Sequence, residues 1–370
     1  MKRMEGRVRA RWMFVTLLLL VPTLTVRAAD QNLLIYLPER STAIPNGVSA
    51  SGAVVAGSLA VGGGFYWMPT TGIVFIGGLG ATKVSLDGRT IVGQVLDSRV
   101  LQAAIWLRGA EWKALGSFTP TAAPCGASLS LATDTSADGR VVVGYASNGC
   151  SLQHAFRWEE STGMVDLGSS VAGKLSVANA ISPDGKVVVG HQEAADGFRQ
   201  GARWVDGRQV LFTGPHDLVG AANATNRDGS IVVGRVCSGE DESLQNPNPY
   251  GQSAWVWTPQ DGLTCLPAPK RVPSQGPVVV VEANATSDDG RVIGGSQGVG
   301  ADDTNAIIWI DRSPVYLKEY LQANGVPDAF KDWPNTGAIT DVSPNGRILV
   351  GKGAAPLGFR GYIVILGEKP

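Results

Sequence analysis

The chain has 370 residues, 31 basic and 32 acidic, with 17% charged residues, 44% apolar residues and 48 glycines. So even a charge balance excludes a nucleic-acid or acidic-membrane partner held by bulk basicity. The apolar fraction excludes a disordered chain, and the length suits one large β domain or two of average size.

The N-terminus reads as a targeting segment. Lys2, Arg3, Arg7, Arg9 and Arg11 precede an apolar stretch from Trp12 to Val21, and Val26-Arg27-Ala28 offers a cleavage site. This is the pattern of a secretory signal peptide over residues 1–28, too short for a comfortable membrane span. Its removal takes six basic residues and one acidic, leaving 25 basic and 31 acidic residues, a net charge of −6. No later segment is apolar for long enough to span a membrane. The mature chain, 29–370, is therefore expected to be a single soluble domain, periplasmic or extracellular, and monomeric.

From Asn46 onward one motif is written seven times. A turn dipeptide recurs as Ser51-Gly52, Asp87-Gly88, Asp138-Gly139, Asp184-Gly185, Asp228-Gly229, Asp289-Gly290 and Asn345-Gly346. Counted from the residue before that glycine, position +6 is again glycine, at Gly57, Gly93, Gly144, Gly190, Gly234, Gly295 and Gly351. Position −2 is Ser or Asn throughout. Position −5 is Asn46, Thr82, Thr133, Asn179, Asn223, Asn284 or Thr340. A second block sets a small residue three places before an aromatic, as in Ala103 with Trp106 and Ala155 with Trp158. A third ends near a leucine, such as Leu115, Leu167 or Leu266.

Each copy predicts four antiparallel strands. The Asp-Gly pair supplies the positive φ of a tight turn, and β-branched runs such as Val141-Val142-Val143 make the next strand. Four-stranded units roughly 36 to 61 residues apart predict a β-propeller of seven blades. The seventh copy has sequence for only three strands, and Leu34-Ile35-Tyr36-Leu37-Pro38 resembles the fourth strand Leu263-Thr264-Cys265-Leu266-Pro267. The N-terminal segment is thus expected to complete the last blade and shut the ring. Six or eight blades, or an open β-solenoid, are the alternatives. Insertions fall in Gly116 to Leu131, Val236 to Gln252 and Asp311 to Thr336, the last with a short helix ended by Asn324-Gly325.

Copy three reads His154-Ala155-Phe156-Arg157-Trp158 after Thr135-Ser136-Ala137-Asp138-Gly139. It resembles the bacterial extracellular HAF-repeat family, over essentially the whole mature chain. The resemblance implies export and a repeat architecture, and no established activity. Ser182-Pro183-Asp184-Gly185-Lys186 also resembles TolB-type propellers over five residues.

Four cysteines in an exported chain predict two disulfides. Cys125 and Cys150 flank the first hairpin of copy three and are the favoured pair; Cys237 and Cys265 lie on strands that are not neighbours, with a long loop between them. No Cys-x-x-Cys spacing points to a metal. Asp134, Ser136 and Asp138 open like a calcium loop, but Tyr145 stands where its bidentate Glu is required. His154, His191 and His216 fall in different copies without metal spacing. No metal or cofactor is expected.

The function expected is a non-enzymatic binding or scaffold module, with a protein or glycan of the cell envelope as the class of partner. The alternative is a propeller hydrolase or lyase using Glu240, Asp241, Glu242, Asp302, Asp303 or Asp332 at the channel mouth. The Asn/Thr set at −5 should ring the channel at the end bearing the long loops and mainly satisfy backbone bonds between blades. Recognition is then expected from exposed aromatics on the inserted loops, Tyr250 and Trp333.

Overall fold

A computed structural model describes residues 31–38, 42–118, 129–148, 152–213, 219–237, 253–269, 280–298 and 303–367. They form a β-propeller of seven four-stranded antiparallel blades. The first strands of the blades are Ala43–Val48, Gly80–Val84, Ser130–Thr135, Ser176–Ile181, Ala222–Thr225, Val280–Thr286 and Asn335–Val342. Blades five and six also share one backbone bridge, Arg235 opposite Glu282, whose side chains form an ion pair at 2.7 Å. The only helix among the described residues, Leu317–Ala323, follows blade six and ends at Asn324.

The ring is closed as the sequence implied. Leu33–Tyr36 pairs antiparallel with Gly358–Ile365, Leu33 opposite Ile365 and Tyr36 opposite Tyr362. Further bonds run from Leu37 N to the Gly361 carbonyl (3.0 Å) and from Arg360 Nε to the Leu37 carbonyl (2.6 Å). The open-solenoid alternative is excluded by this pairing.

The repeat residues have physical reasons. The turn glycines Gly52, Gly88, Gly139, Gly185, Gly229, Gly290 and Gly346 hold φ between 70° and 78°, where a Cβ is strained. The Ser or Asn at −2 accepts the backbone N–H at +3 in every blade, as Ser136 Oγ does from Val141 N at 3.0 Å. Where the turn residue is Asp or Asn and −2 is Ser, that hydroxyl donates to the turn side chain, for example Ser85 to Asp87 Oδ1 at 2.6 Å.

Each first strand carries a β-bulge at its −5 residue, where the register skips from −6 to −4. The glycine at +6 lies opposite. At Gly144 a Cβ would run into the carbonyl oxygen of Leu131, and at Gly190 into that of Val177. This glycine is demanded by contact, not by dihedral angle.

The small residue before each aromatic packs against the following blade. The N–H of Ala155 donates to Ser176 Oγ (3.0 Å); in blade seven, where Val364 takes the place of the aromatic, a Cβ at Gly361 would strike Pro45 of blade one. The indoles then fill the space between blades. Trp309 is fully buried and donates to the Pro267 carbonyl of blade five at 2.7 Å; Trp204 does the same to Leu167 of blade three at 3.1 Å.

Cys237 and Cys265 are joined in a disulfide, with Cα atoms 5.6 Å apart. It links the ends of the second and fourth strands of blade five across the third. Cys125 and Cys150 lie outside the described residues.

Candidate functional site

The first strands line the propeller axis, and their seven bulges build a closed ring. Each −5 side chain donates to the −6 carbonyl of the next blade: Asn46 to Ala81, Thr82 to Ala132, Thr133 to Ala178 and Asn179 to Ala222. The series continues from Asn223 to Ala283 and Asn284 to Ile339, and Thr340 returns to Pro45 of blade one, all at 2.7–3.1 Å. At this bulge the short side chain gives the −6 carbonyl of the next blade a donor; Ala81 O also accepts from Ser58 Oγ at 3.1 Å.

A cavity of about 180 Å³ opens beside this ring. It is lined by the −5 residues of all seven blades, by the −4 and −3 residues of blades two to seven and, at its outer edge, by Leu86, Pro183, Asp288 and Pro344 at −1. No earlier first-strand residue lines it. The space therefore lies on the side of the short Asp-Gly turns, correcting the expectation of a site at the long-loop end. On that side the turns are tied together by backbone bonds such as Ala50 N to Leu86 O and Ala137 N to Pro183 O, both 2.9 Å.

Strict strand alternation puts −4 on the opposite face from −5 and −3. The bulge cancels that alternation, and −4 faces the axis as well. Around the ring this position is Gly47, Lys83, Asp134, Ala180, Ala224, Ala285 and Asp341. Three charges thus stand in one sector, and three alanines face them. Lys83 Nζ of blade two reaches across blade one to Asp341 Oδ1 of blade seven at 2.7 Å. Gly47 leaves it room, for a Cβ there would lie 3.1 Å from the Lys83 side chain. Asp341 Oδ2 also accepts from Val48 N at 2.8 Å. Asp134 accepts from Thr135 N (2.8 Å) and from Ile181 N of blade four (2.9 Å).

Both carboxylates are buried, Asp134 at 6% exposure and Asp341 at 4%. Burial pushes the Asp134 carboxyl up to about 6, against the lowering effect of Lys83 and the two backbone N–H groups. Burial also works against the Lys83 charge, but Asp341 and Asp134 overcome it and hold the ammonium above its usual range. Asp288 at the edge is taken up by Arg227 at 2.7 Å. Among the cavity's inner charges one ammonium faces two carboxylates.

The other sequence candidates lie elsewhere. Trp333 is not an exposed contact: it is 8% exposed, stacked on Tyr36 at 5.2 Å and packed edge-on against Phe330. Ring closure explains this, since the N-terminal strand brings Tyr36 onto the inserted segment and Tyr36 Oη accepts from Phe330 N at 2.7 Å. Asp303 and Asp332 do not line the cavity. Tyr250, Glu240, Asp241, Glu242, Asp302 and His216 lie outside the described residues. His154 pairs through Nδ1 with Asp166 at 3.0 Å on the outer strands of blade three. His191 is buried, and burial with Arg199 and Arg235 pushes its imidazole down to about 4. No group of three or more potential metal ligands occurs among the described residues, and no described helix is long and apolar enough to cross a membrane.

No family model matches the chain, and no curated protein does. Solved propellers do. The β-propeller domain of the Trilobed protease from Pyrococcus furiosus aligns over 87% of this chain and 94% of its own, with a TM-score of 0.53 and 12% identity. The chain thus shares the propeller fold with that domain. The Pyrococcus domain is described as having an open velcro topology, whereas here Leu33–Tyr36 closes the last blade. TolB from Acinetobacter baumannii aligns over 77% of this chain with a TM-score of 0.43 and 11% identity; the match spans 63% of that TolB chain.

Proposed function

We propose that this protein is an exported, HAF-type propeller that works as a non-enzymatic binding module, taking a small ligand, or one small group of a protein or glycan partner, into the axial cavity on its short-turn face. The observation that carries the reading is the charged sector at −4. Four blades keep Gly or Ala there with the same bulge and the same ring bond, so the frame does not require a charge. Burying carboxylates is costly. A costly departure from the repeat inside a cavity is where a binding site is expected. Export is supported by the residue 1–28 pattern and by the Cys237–Cys265 disulfide, which persists in an oxidising compartment.

The test has two arms. N-terminal sequencing of the protein from the periplasm or medium should begin at Ala29. A thermal-shift panel of small amines, acids, alcohols and monosaccharides should yield at least one compound that stabilises the wild type, fails to stabilise the cavity-filling variant Ala224→Leu, and is recovered unchanged by NMR. Conversion of the compound defeats the non-enzymatic reading, and equal stabilisation of both proteins defeats the axial site.

A further inference from the structure

We infer that the axial cavity is selective for a small organic monocation, an alkylammonium group with a short apolar body. The inference rests on the binding reading above and adds the ligand's class. One wall carries Asp341, Lys83 and Asp134, and the opposite wall carries Ala180, Ala224 and Ala285. Lys83 is committed to Asp341 at 2.7 Å. Asp134 is held by two backbone N–H groups and has no side-chain cation within ion-pair distance among the described residues. The inner cavity therefore holds one negative charge in excess. An ammonium against Asp134 would neutralise it, and its alkyl stem would lie on the alanine wall, displacing water from apolar surface. An anion would add to the excess. A bare metal ion would find three of the four carboxylate oxygens already accepting backbone N–H groups and an ammonium on the fourth.

The volume sets the size. About 180 Å³ has room for a four- or five-carbon amine. The same chemistry comes from a free amine or from the end of a lysine on a partner protein, and two probes separate these sources.

The experiment titrates the disulfide-intact mature protein at pH 7.5 and constant ionic strength. The probes are n-butylammonium, Nα-acetyl-lysine methylamide, n-butanol and butyrate. The expected result is saturable binding of a cation and none of butyrate. Binding of butylammonium points to a free amine; binding of the lysine derivative alone points to a partner's side chain. Asp134→Asn should weaken the cation at least tenfold, and Lys83→Gln, which removes the resident ammonium, should tighten it. Ala224→Leu should abolish it. Should Asp134→Asn fail to fold, the opposite sign at Lys83→Gln still decides. Binding of butanol or butyrate that Ala224→Leu abolishes, without cation binding, overturns the charge class and leaves the axial site standing. Absence of any Ala224-sensitive binding overturns both.

Discussion

Asp134 is the residue at which burial and charge conflict most openly. Its carboxyl titrates near 6 instead of 3.8, so the folded state holds the proton more tightly than the unfolded chain. Stability from this group therefore falls as the pH rises from about 4 to about 6 and is level above that. The span corresponds to about 3 kcal/mol. Urea titrations at pH 4 and pH 6.5, which cover most of that span, should show the wild type losing about 2 kcal/mol relative to Asp134→Asn. A gain with rising pH relative to the variant would show that the carboxylate is fully compensated. Gly144 presents a steric conflict of another kind. Gly144→Ala must push Cβ against the Leu131 carbonyl, a backbone atom fixed by the bulge, and should cost about 3 kcal/mol in the urea midpoint. An unchanged midpoint would mean that the first strand gives way at little cost.

At the level of elements, the ring of Asn and Thr bonds joins the blades, and each link is replaceable in isolation. Asn179→Ala strands the Ala222 carbonyl and should lower stability by about 1–2 kcal/mol, measured by thermal or chemical unfolding. Asn223→Ala should do the same through Ala283. Neither change touches the −4 charges, so binding of a cation to either folded variant should stay within a few-fold of wild type. The Cys237–Cys265 bond works within blade five, joining residues 28 apart in sequence. Its removal by Cys237→Ser with Cys265→Ser should cost about 3 to 4 kcal/mol on the chain-entropy argument. Unfolding with and without reductant reads this directly, because a wild type insensitive to reductant would show the bond to be dispensable.

For the whole molecule the decisive element is the N-terminal strand. Deleting residues 31–38 removes four paired residues, strips cover from Trp333 and Phe330, and exposes the Gly358–Ile365 edge. The loss should be on the order of 5 kcal/mol by apolar burial alone. The exposed edge should also promote pairing between copies. Size-exclusion chromatography of the deletion variant checks the second effect and calorimetry the first; a monomer with an unaltered melting temperature would show that closure lies elsewhere.

The blade count, the four strands of each blade, the turn glycines and the closing segment were all legible in the sequence. Each answers a local need that recurs seven times: a positive φ at Gly139, a carbonyl too close at Gly144, a hydroxyl to cap the turn at Ser136. Repetition makes such needs visible without any structure. The candidate site was not legible in that way. Read as a regular strand, −4 falls on the face away from the axis, so Lys83, Asp134 and Asp341 gave no sign of meeting. Their departure from the Gly and Ala of the other blades was the one available signal. Only the bulge turns −4 inward, and only the closed ring brings blade seven to within a lysine's reach of blade two, across Gly47. Trp333 was misjudged for the same reason: the strand that buries it comes from the far end of the chain. Local geometry is written in neighbouring residues, whereas contacts made by ring closure join residues some 260 to 300 positions apart and exist only once the seven blades meet.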